Sequence, residues 1–288
     1  MKHAILITAY KNIDQLIFLI NCFDDNFTFY VHIDKKSIIE PSLIFDLKNN
    51  KKVSYLSRKY NVNWGGRDHL LAILDLCKVS VMDKGLSYFH LISGEDFPAK
   101  TNDYFCDLFR GSENLNFLES FKLPAPFWKK DNGGFDRFSY YNFYDLIDAK
   151  KNLKFIEYIV DVQKKYGIKR HFNWEFENLY AGSTWWSLSR KLIHYVLDFT
   201  FQKPLFLRNL RYSFCSEEMY FQTVLLNSPL ASEITNDNLR YIEWEYRNGS
   251  CPPYLDESDL PHIFHSNKLF ARKVNKEISN KLKDLVRL

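Results

Sequence analysis

No stretch of the chain approaches the roughly 20 consecutive apolar residues that a membrane-spanning helix requires. The opening MKHAILITAYKN has a basic residue and an apolar run, but at about six residues that run falls below the secretory minimum of about seven, and no small-residue cleavage site follows. Cysteine is sparse. Cys22, Cys77, Cys106, Cys215 and Cys251 are odd in number, widely separated and without a C-x-x-C pair, so they read as reduced thiols rather than a disulfide framework or a zinc site. Charge of one sign is also lacking: 39 Lys and Arg against 35 Asp and Glu leave +4, with basic residues only in short pairs such as Lys35-Lys36, which is too little for a nucleic-acid footprint. The P-loop, G-x-G-x-x-G and G-x-S-x-G signatures are missing, as is any Cys-His or Ser-His-Asp spacing for a nucleophile. The expectation is a cytoplasmic protein that binds no nucleic acid and meets a membrane only peripherally, at the inner face of the cell membrane.

What is present is a hydrophobic share of 46% and many rings, 25 Phe, 18 Tyr and 6 Trp, enough for the core of an α/β enzyme and suited, where exposed, to sugar faces. HAILITAY is apolar throughout, as a strand covered on both faces reads; a helical pattern from Ile13 to Cys22 and the strand FTFYVHID complete a βαβ unit, which implies a parallel sheet. KVSYL and SYFHLIS add strands on either side of a helix from Leu70 to Val81. Residues 124–152 have weak periodicity and read as an irregular acceptor-side segment, in which Arg137, Tyr140, Tyr141 and Asp145 either contact ligand or pack. Helices follow at Phe155–Tyr166, Arg190–Phe199, Ser216–Leu226 with Ser216 as N-cap, a short one near Asp259, and Asn275–Val286; strands are expected at Tyr180–Leu188 and along LRYIEWEY. With no repeat or linker, 1–288 reads as a single domain, with a nucleotide-binding half at about 1–110 and a catalytic half at about 111–288.

Several residues could carry chemistry. Asp34 and the turn Ser93-Gly94-Glu95-Asp96 stand at strand ends, where open α/β sheets bind ligands. Asp34 is followed by Lys35-Lys36 and not by the second carboxylate of a D-x-D metal cage, so no metal is expected, and basic side chains, Arg272-Lys273 with Arg247 behind them, must compensate an anionic ligand. Glu218, Asp96 and Glu119 are candidate bases or ligand-binding acids; Trp244 and Tyr246 would share one face of a strand as a stacking platform. Local chemistry alone stops at an α/β ligand-binding enzyme.

The ordered set HAILITAYKN, YVHIDKKS, VNWGGRDHL, YFHLISGEDFPAKTN, NFLES, GSTWWSLSR, SEEMYFQTVLLNSP, NLRYIEW and LFARKV resembles the core-2/I-branching N-acetylglucosaminyltransferase family, which also holds peptide O-xylosyltransferases, and above all its compact bacterial members. The resemblance runs from about His3 to Val274 and implies a glycosyltransferase A-type α/β fold with a Rossmann-like, mostly parallel sheet, an inverting mechanism, a UDP-sugar donor, a carbohydrate or lipid-linked glycan acceptor and no required metal. By the same resemblance Glu218 takes the general-base position and Asp96 a position with a catalytic or donor-side role, Thr8 and Asp34 hold the uridine, and Arg272 and Lys273 bind the diphosphate. Glu119, Trp244 and Tyr246 fall on acceptor contacts. A second family arginine falls on Ser250, with Arg247 as the nearest substitute. UDP-N-acetylglucosamine is the expected donor, for bacterial surface polysaccharide synthesis; UDP-xylose, UDP-galactose and UDP-glucuronic acid stay open, as do a non-catalytic nucleotide-sugar or glycan-binding protein and a nucleotide-dependent hydrolase.

Overall fold

The computed structural model describes residues 1–111, 115–171 and 175–279. The first strand, β1 (Lys2–Ala9), is buried along nearly its whole length, as a strand covered on both faces must be. It leads into α1 (Ile13–Asn21), whose Ile13, Leu16, Leu19 and Ile20 recur at helical spacing and all face inward, and then into β2 (Phe27–Ile33). The two strands pair in parallel with Thr8 beside His32, the expected βαβ unit. A second crossover, α2 (Pro41–Asn49), starts on a proline, and its periodicity is weak because it buries only Leu47. It delivers β3 (Val53–Ser57) to the edge of the sheet. After α3 (Asp68–Ser80) the chain crosses back to lay β4 (Leu86–Ser93) on the other side of β1, where Thr8 stands beside Ser93. That reversal is a topological switch point, and the crevice beyond the carboxyl ends of β1, β2 and β4 is where such sheets take ligands.

The rest of the chain extends the sheet. A turn after β4 gives β5 (Asp96–Pro98), followed by α4 (Asn102–Phe109), β6 (Asn116–Leu118) and β7 (Phe121–Lys122). The segment expected to be irregular holds a 3-10 turn (Lys129–Gly134) and α5 (Asp136–Ser139). The next helix, α6 (Ala149–Lys165), begins earlier than its periodicity suggests because the Asp148 side chain caps it, accepting from the Lys150 amide at 3.0 Å. Then come β8 (Tyr180–Ala181), β9 (Trp186–Ser189), α7 (Arg190–Gln202), α8 (Pro204–Asn209), α9 (Tyr220–Leu226), β10 (Ile234–Thr235), β11 (Arg240–Ile242), α10 (Leu260–His265) and β12 (Phe270–Arg272). The main sheet has the order β10-β6-β9-β4-β1-β2-β3, parallel except for β9, and a small sheet has the order β11-β12-β5. This mixed α/β architecture, helices flanking a mostly parallel seven-stranded sheet, is consistent with a glycosyltransferase A-type fold.

Three expectations need correction. Ser216 does not cap a continuous helix: Cys215, in the left-handed conformation at φ 51°, precedes a 3-10 turn, and α9 starts only after Met219 breaks the helical path at φ −132°. The LRYIEWEY strand ends at Ile242 because only Arg240–Ile242 find a partner in β12. The helix expected at Asn275–Val286 lies largely outside the described residues, and 276–278 form a turn.

Buried histidines tie the sheet together. His3 Nδ1 lies 3.0 Å from His90 Nε2, His90 Nδ1 lies 2.9 Å from Ser187 Oγ, and Arg240 reaches the same hydroxyl at 2.9 Å while donating to the carbonyls of Leu91 and Trp186 at 2.8 and 2.7 Å. His32 Nε2 accepts from the Tyr60 amide at 3.2 Å, which requires that nitrogen unprotonated. Burial pushes the His3 and His32 imidazoles down to about 4 and that of His90 well below its usual value. The folded chain therefore keeps all three neutral, whereas the unfolded chain protonates them below about pH 6.5, so stability present at neutral pH is lost as pH falls from about 6.5 toward 4. Each histidine contributes a slope of up to about 1.4 kcal/mol per pH unit in that window. Urea unfolding at a series of pH values should show this decline, and His32→Gln, which keeps an acceptor, should flatten it by about one proton.

Candidate active site

The ends of β1, β2 and β4 lie side by side, where such sheets take ligands. Thr8, near the end of β1, has its hydroxyl 3.1 Å from His69 Nε2, and His69 Nδ1 lies 3.2 Å from Glu217 Oε1. Since a carboxylate only accepts, Nδ1 donates to Glu217. His69 sits in the first turn of α3, so this relay joins β1, α3 and the turn before α9. Asp34, just past β2, is 8% exposed and accepts from the amides of Lys36 and Val62 at 3.1 and 3.0 Å. Beyond β4, Asp96 accepts from the Ser93 amide at 2.7 Å and from the Ser93 hydroxyl.

Pairing of β5 with β12 sets Asp96 opposite Arg272. Arg272 Nε stands 3.9 Å from Asp96 Oδ1, too long for a hydrogen bond, and both atoms are buried without a hydrogen-bond partner among the described residues. The guanidinium lies 4.2 Å over the Trp185 ring, which holds it flat without using its donors. Lys273 follows, half-buried; its pKa is lowered by burial, and Arg272 and Lys11 push it the same way against Glu95. Lys11 itself is held by Glu95 at 2.9 Å and Tyr254 at 3.0 Å. Two adjacent cations, one with an unused donor, thus stand beside the switch point. Arg247, the candidate for the second arginine, is ion-paired with Asp256 at 2.8 Å and Asp259 at 2.6 Å.

The two candidate bases differ sharply in surroundings. The Asp96 side chain is 0% exposed, whereas that of Glu218 is 32% exposed. Arg137 donates to Glu218 Oε2 at 2.7 Å and is itself sandwiched, 3.7 Å over the Trp128 ring and 5.0 Å over that of Phe214. Glu218 Oε1 accepts no hydrogen bond among the described residues. Burial raises the Glu218 pKa, Arg137 pulls it down, and the neighbouring Glu217 adds to the rise. Gly182, in the GSTWW motif, locates this acid: its amide donates to the Glu218 carbonyl at 2.8 Å, and a Cβ there would meet the Glu119 carbonyl at 1.9 Å.

Glu119, directly after β6, receives the Asn238 side-chain amide, and burial raises its pKa. It lines an open polar recess of about 220 Å³ with Asp237, Asn238, Arg240, Trp244 and Lys268. Trp244 and Tyr246 form no strand face, because both lie past β11; they are 67% and 76% exposed, and only Trp244 borders the recess. Sequence reasoning assigned no role to His69, Glu217 or Trp185, although VNWGGRDHL, SEEMYF and GSTWW contain them. Arg137 was weighed only as a packing or ligand residue. Asp145 packs, accepting from the Arg67 and Tyr212 amides at 2.9 and 2.7 Å. No group of three or more His, Cys, Asp and Glu able to hold a metal gathers among the described residues. No helix among them is long and apolar enough to cross a membrane.

Comparison with known proteins bears on this geometry. The chain is 27% identical over 279 residues to xylosyltransferase 1 of Mus musculus, an alignment that spans 88% of this chain and 27% of the relative. It is 25% identical over 281 residues to xylosyltransferase 1 of Homo sapiens, and 24% identical over 241 residues to xylosyltransferase 2 of Canis lupus familiaris, covering 88% and 77% of this chain and 27% and 24% of those relatives. The chain thus spans about a quarter of the length of the curated relatives it matches. The profile of the Core-2/I-Branching enzyme family matches residues 4–269, so that every site residue on the page except Arg272 and Lys273 falls within it, and the chain belongs to that family of glycosyltransferases.

Proposed function

We propose that this chain transfers a sugar from a UDP-sugar to a carbohydrate acceptor with inversion at the anomeric carbon and without a bound metal. The observation that carries the reading is the contrast between the two acids. Glu218 keeps an open oxygen with a cation behind it, as a general base must, while Asp96 is enclosed and faces Arg272. Glu218 takes the proton of the acceptor hydroxyl as that oxygen attacks C1; the C1–O bond to UDP breaks, and its electron pair leaves on the diphosphate. Arg272 and Lys273 stabilise that charge, a task metal ions perform in other sites. Thr8 and Asp34 hold the uridine, and the recess at Glu119 and Trp244 takes the acceptor.

UDP-N-acetylglucosamine is the first donor to test, because the S-E-E turn follows the N-acetylglucosaminyltransferase pattern; UDP-xylose is favoured by the names of the relatives. The acceptor is an oligosaccharide, carried on a lipid as in bacterial surface polysaccharide assembly on the cytoplasmic side. Calorimetry with UDP and its N-acetylglucosamine, xylose, galactose and glucuronic acid conjugates, each with EDTA and with manganese, tests the donor. Micromolar, EDTA-insensitive binding of one conjugate is expected. Binding that needs manganese, or none, overturns the metal-free donor site, and tight UDP binding without turnover on any acceptor would favour a binding protein.

A further inference from the structure

We propose that the outer face of α6 is a docking surface for an anionic lipid bilayer. The helix carries two stripes. One, with Ile156 and Gln163 seven residues apart past the kink at Asn152, turns into the protein. The other runs Phe155, Tyr158, Ile159, Val162 and Tyr166, the i, i+3, i+4, i+7, i+11 spacing of a single helical face. Phe155, Tyr158 and Tyr166 are 54%, 63% and 69% exposed, and Ile159 and Val162 are half-buried among them. A contiguous stripe of large apolar and aromatic side chains on a solvent face marks an interaction surface.

Charge selects the occupant. On a helical projection Lys154 and Lys165 border the stripe, and the acids Glu157 and Asp161 fall beyond those lysines, away from it. Between Asp148 and Arg170 seven cations stand against three acids, an excess equal to the net charge of +4 of the whole chain. Lys164 pairs with Asp136, whereas Lys151, Lys154, Lys165 and Lys169 form no salt bridge among the described residues. Rings that settle at headgroup depth, with lysine stems reaching lipid phosphates, match this arrangement. The helix also meets the crevice, since Lys150 Nζ lies 4.4 Å over the ring of Tyr10, the residue after β1. A bilayer on this face would bring a lipid-borne acceptor to the mouth of the site, a consequence that rests on the proposed transferase reading; the docking itself needs neither donor nor acceptor.

The test sediments the full chain, without nucleotide sugar, with vesicles of phosphatidylcholine alone and of phosphatidylcholine containing a quarter phosphatidylglycerol, at low and at high salt. Binding to the anionic vesicles that is weakened by salt and about tenfold weaker on the neutral ones is expected. Phe155→Ser with Tyr158→Ser, and separately Lys154→Glu with Lys165→Glu, should each reduce it about tenfold with unchanged circular dichroism and thermal midpoint. Phe201→Ser, at an 87% exposed position on α7, should change nothing. No binding, equal binding to both vesicle types, or equal loss in Phe201→Ser overturns the proposal. So does a dimer that the α6 variants dissociate while vesicle binding persists, which would make the stripe a contact between two copies. Vesicle binding retained alongside a failed donor titration would strike the transferase reading and leave this one standing.

Discussion

Glu218→Gln is expected to lower kcat by about 10²- to 10⁴-fold, the usual contribution of a general base, while UDP binds with nearly its normal affinity. The amide keeps the shape and can still accept from Arg137, so the 2.7 Å contact and the packing of Arg137 on Trp128 should survive, and what is lost is basicity. Stopped turnover with intact nucleotide affinity therefore separates chemistry from folding. A pH profile sharpens the assignment. Partial burial and the neighbouring Glu217 raise the Glu218 pKa from its ordinary value, and Arg137 partly offsets them. The base works only when deprotonated, so the acid limb of kcat/KM should lie above the usual carboxylate value, and Arg137→Met, which removes the offsetting cation, should move it to still higher pH. Arg137→Lys should move it back. If Glu218→Gln turned over normally and Asp96→Asn did not, the base would be Asp96.

Arg272→Met should cost about 10²- to 10³-fold in kcat/KM, the penalty for removing one preorganised group from developing charge. Methionine preserves much of the apolar stem over Trp185, so the fold has little reason to change, whereas the unused Nε donor and the charge facing Asp96 disappear. Arg272→Lys keeps a charge but not the planar face held 4.2 Å over the indole, and should recover only part of the loss. UDP affinity should fall in Arg272→Met, unlike Glu218→Gln, because the group is already in place in the ground state. Asp96→Asn should differ from Arg272→Met, with reduced stability, since the enclosed carboxylate that opposes the arginine and accepts from Ser93 loses its charge. Full UDP affinity in Arg272→Met would remove Arg272 from the diphosphate site.

The sheet was legible where burial is two-sided. HAILITAY, FTFYVHI and SYFHLIS are apolar runs because each lies inside the main sheet, and the runs that end near Asp34 and Ser93–Asp96 do stop there as strands. Elements that bury little left no such trace: α2 buries only Leu47, and α5 is four residues long with Phe138 its sole buried side chain. LRYIEWEY alternates well beyond its true strand, because alternation reports only what a chain could pair with, and β12 offers three residues. The acids and the Arg272-Lys273 pair stand out in the sequence because each lies in a short motif. His69 and Trp185 carry no role in the sequence reading, and Arg137 only the open choice between ligand contact and packing, because their significance lies in contacts spanning 148, 87 and 81 positions of sequence, to Glu217, Arg272 and Glu218. Nothing local announces that Asp256 and Asp259 fold back to bind Arg247.

Direct displacement by an acceptor oxygen that Glu218 deprotonates fixes the stereochemistry of the product, so the decisive measurement is the anomeric configuration of the new bond. Proton NMR of the oligosaccharide formed from an α-linked UDP-sugar, in a reaction run in EDTA, should show the large H1–H2 coupling of a β-linkage; an α-linked product, or turnover only after manganese is restored, would contradict the mechanism.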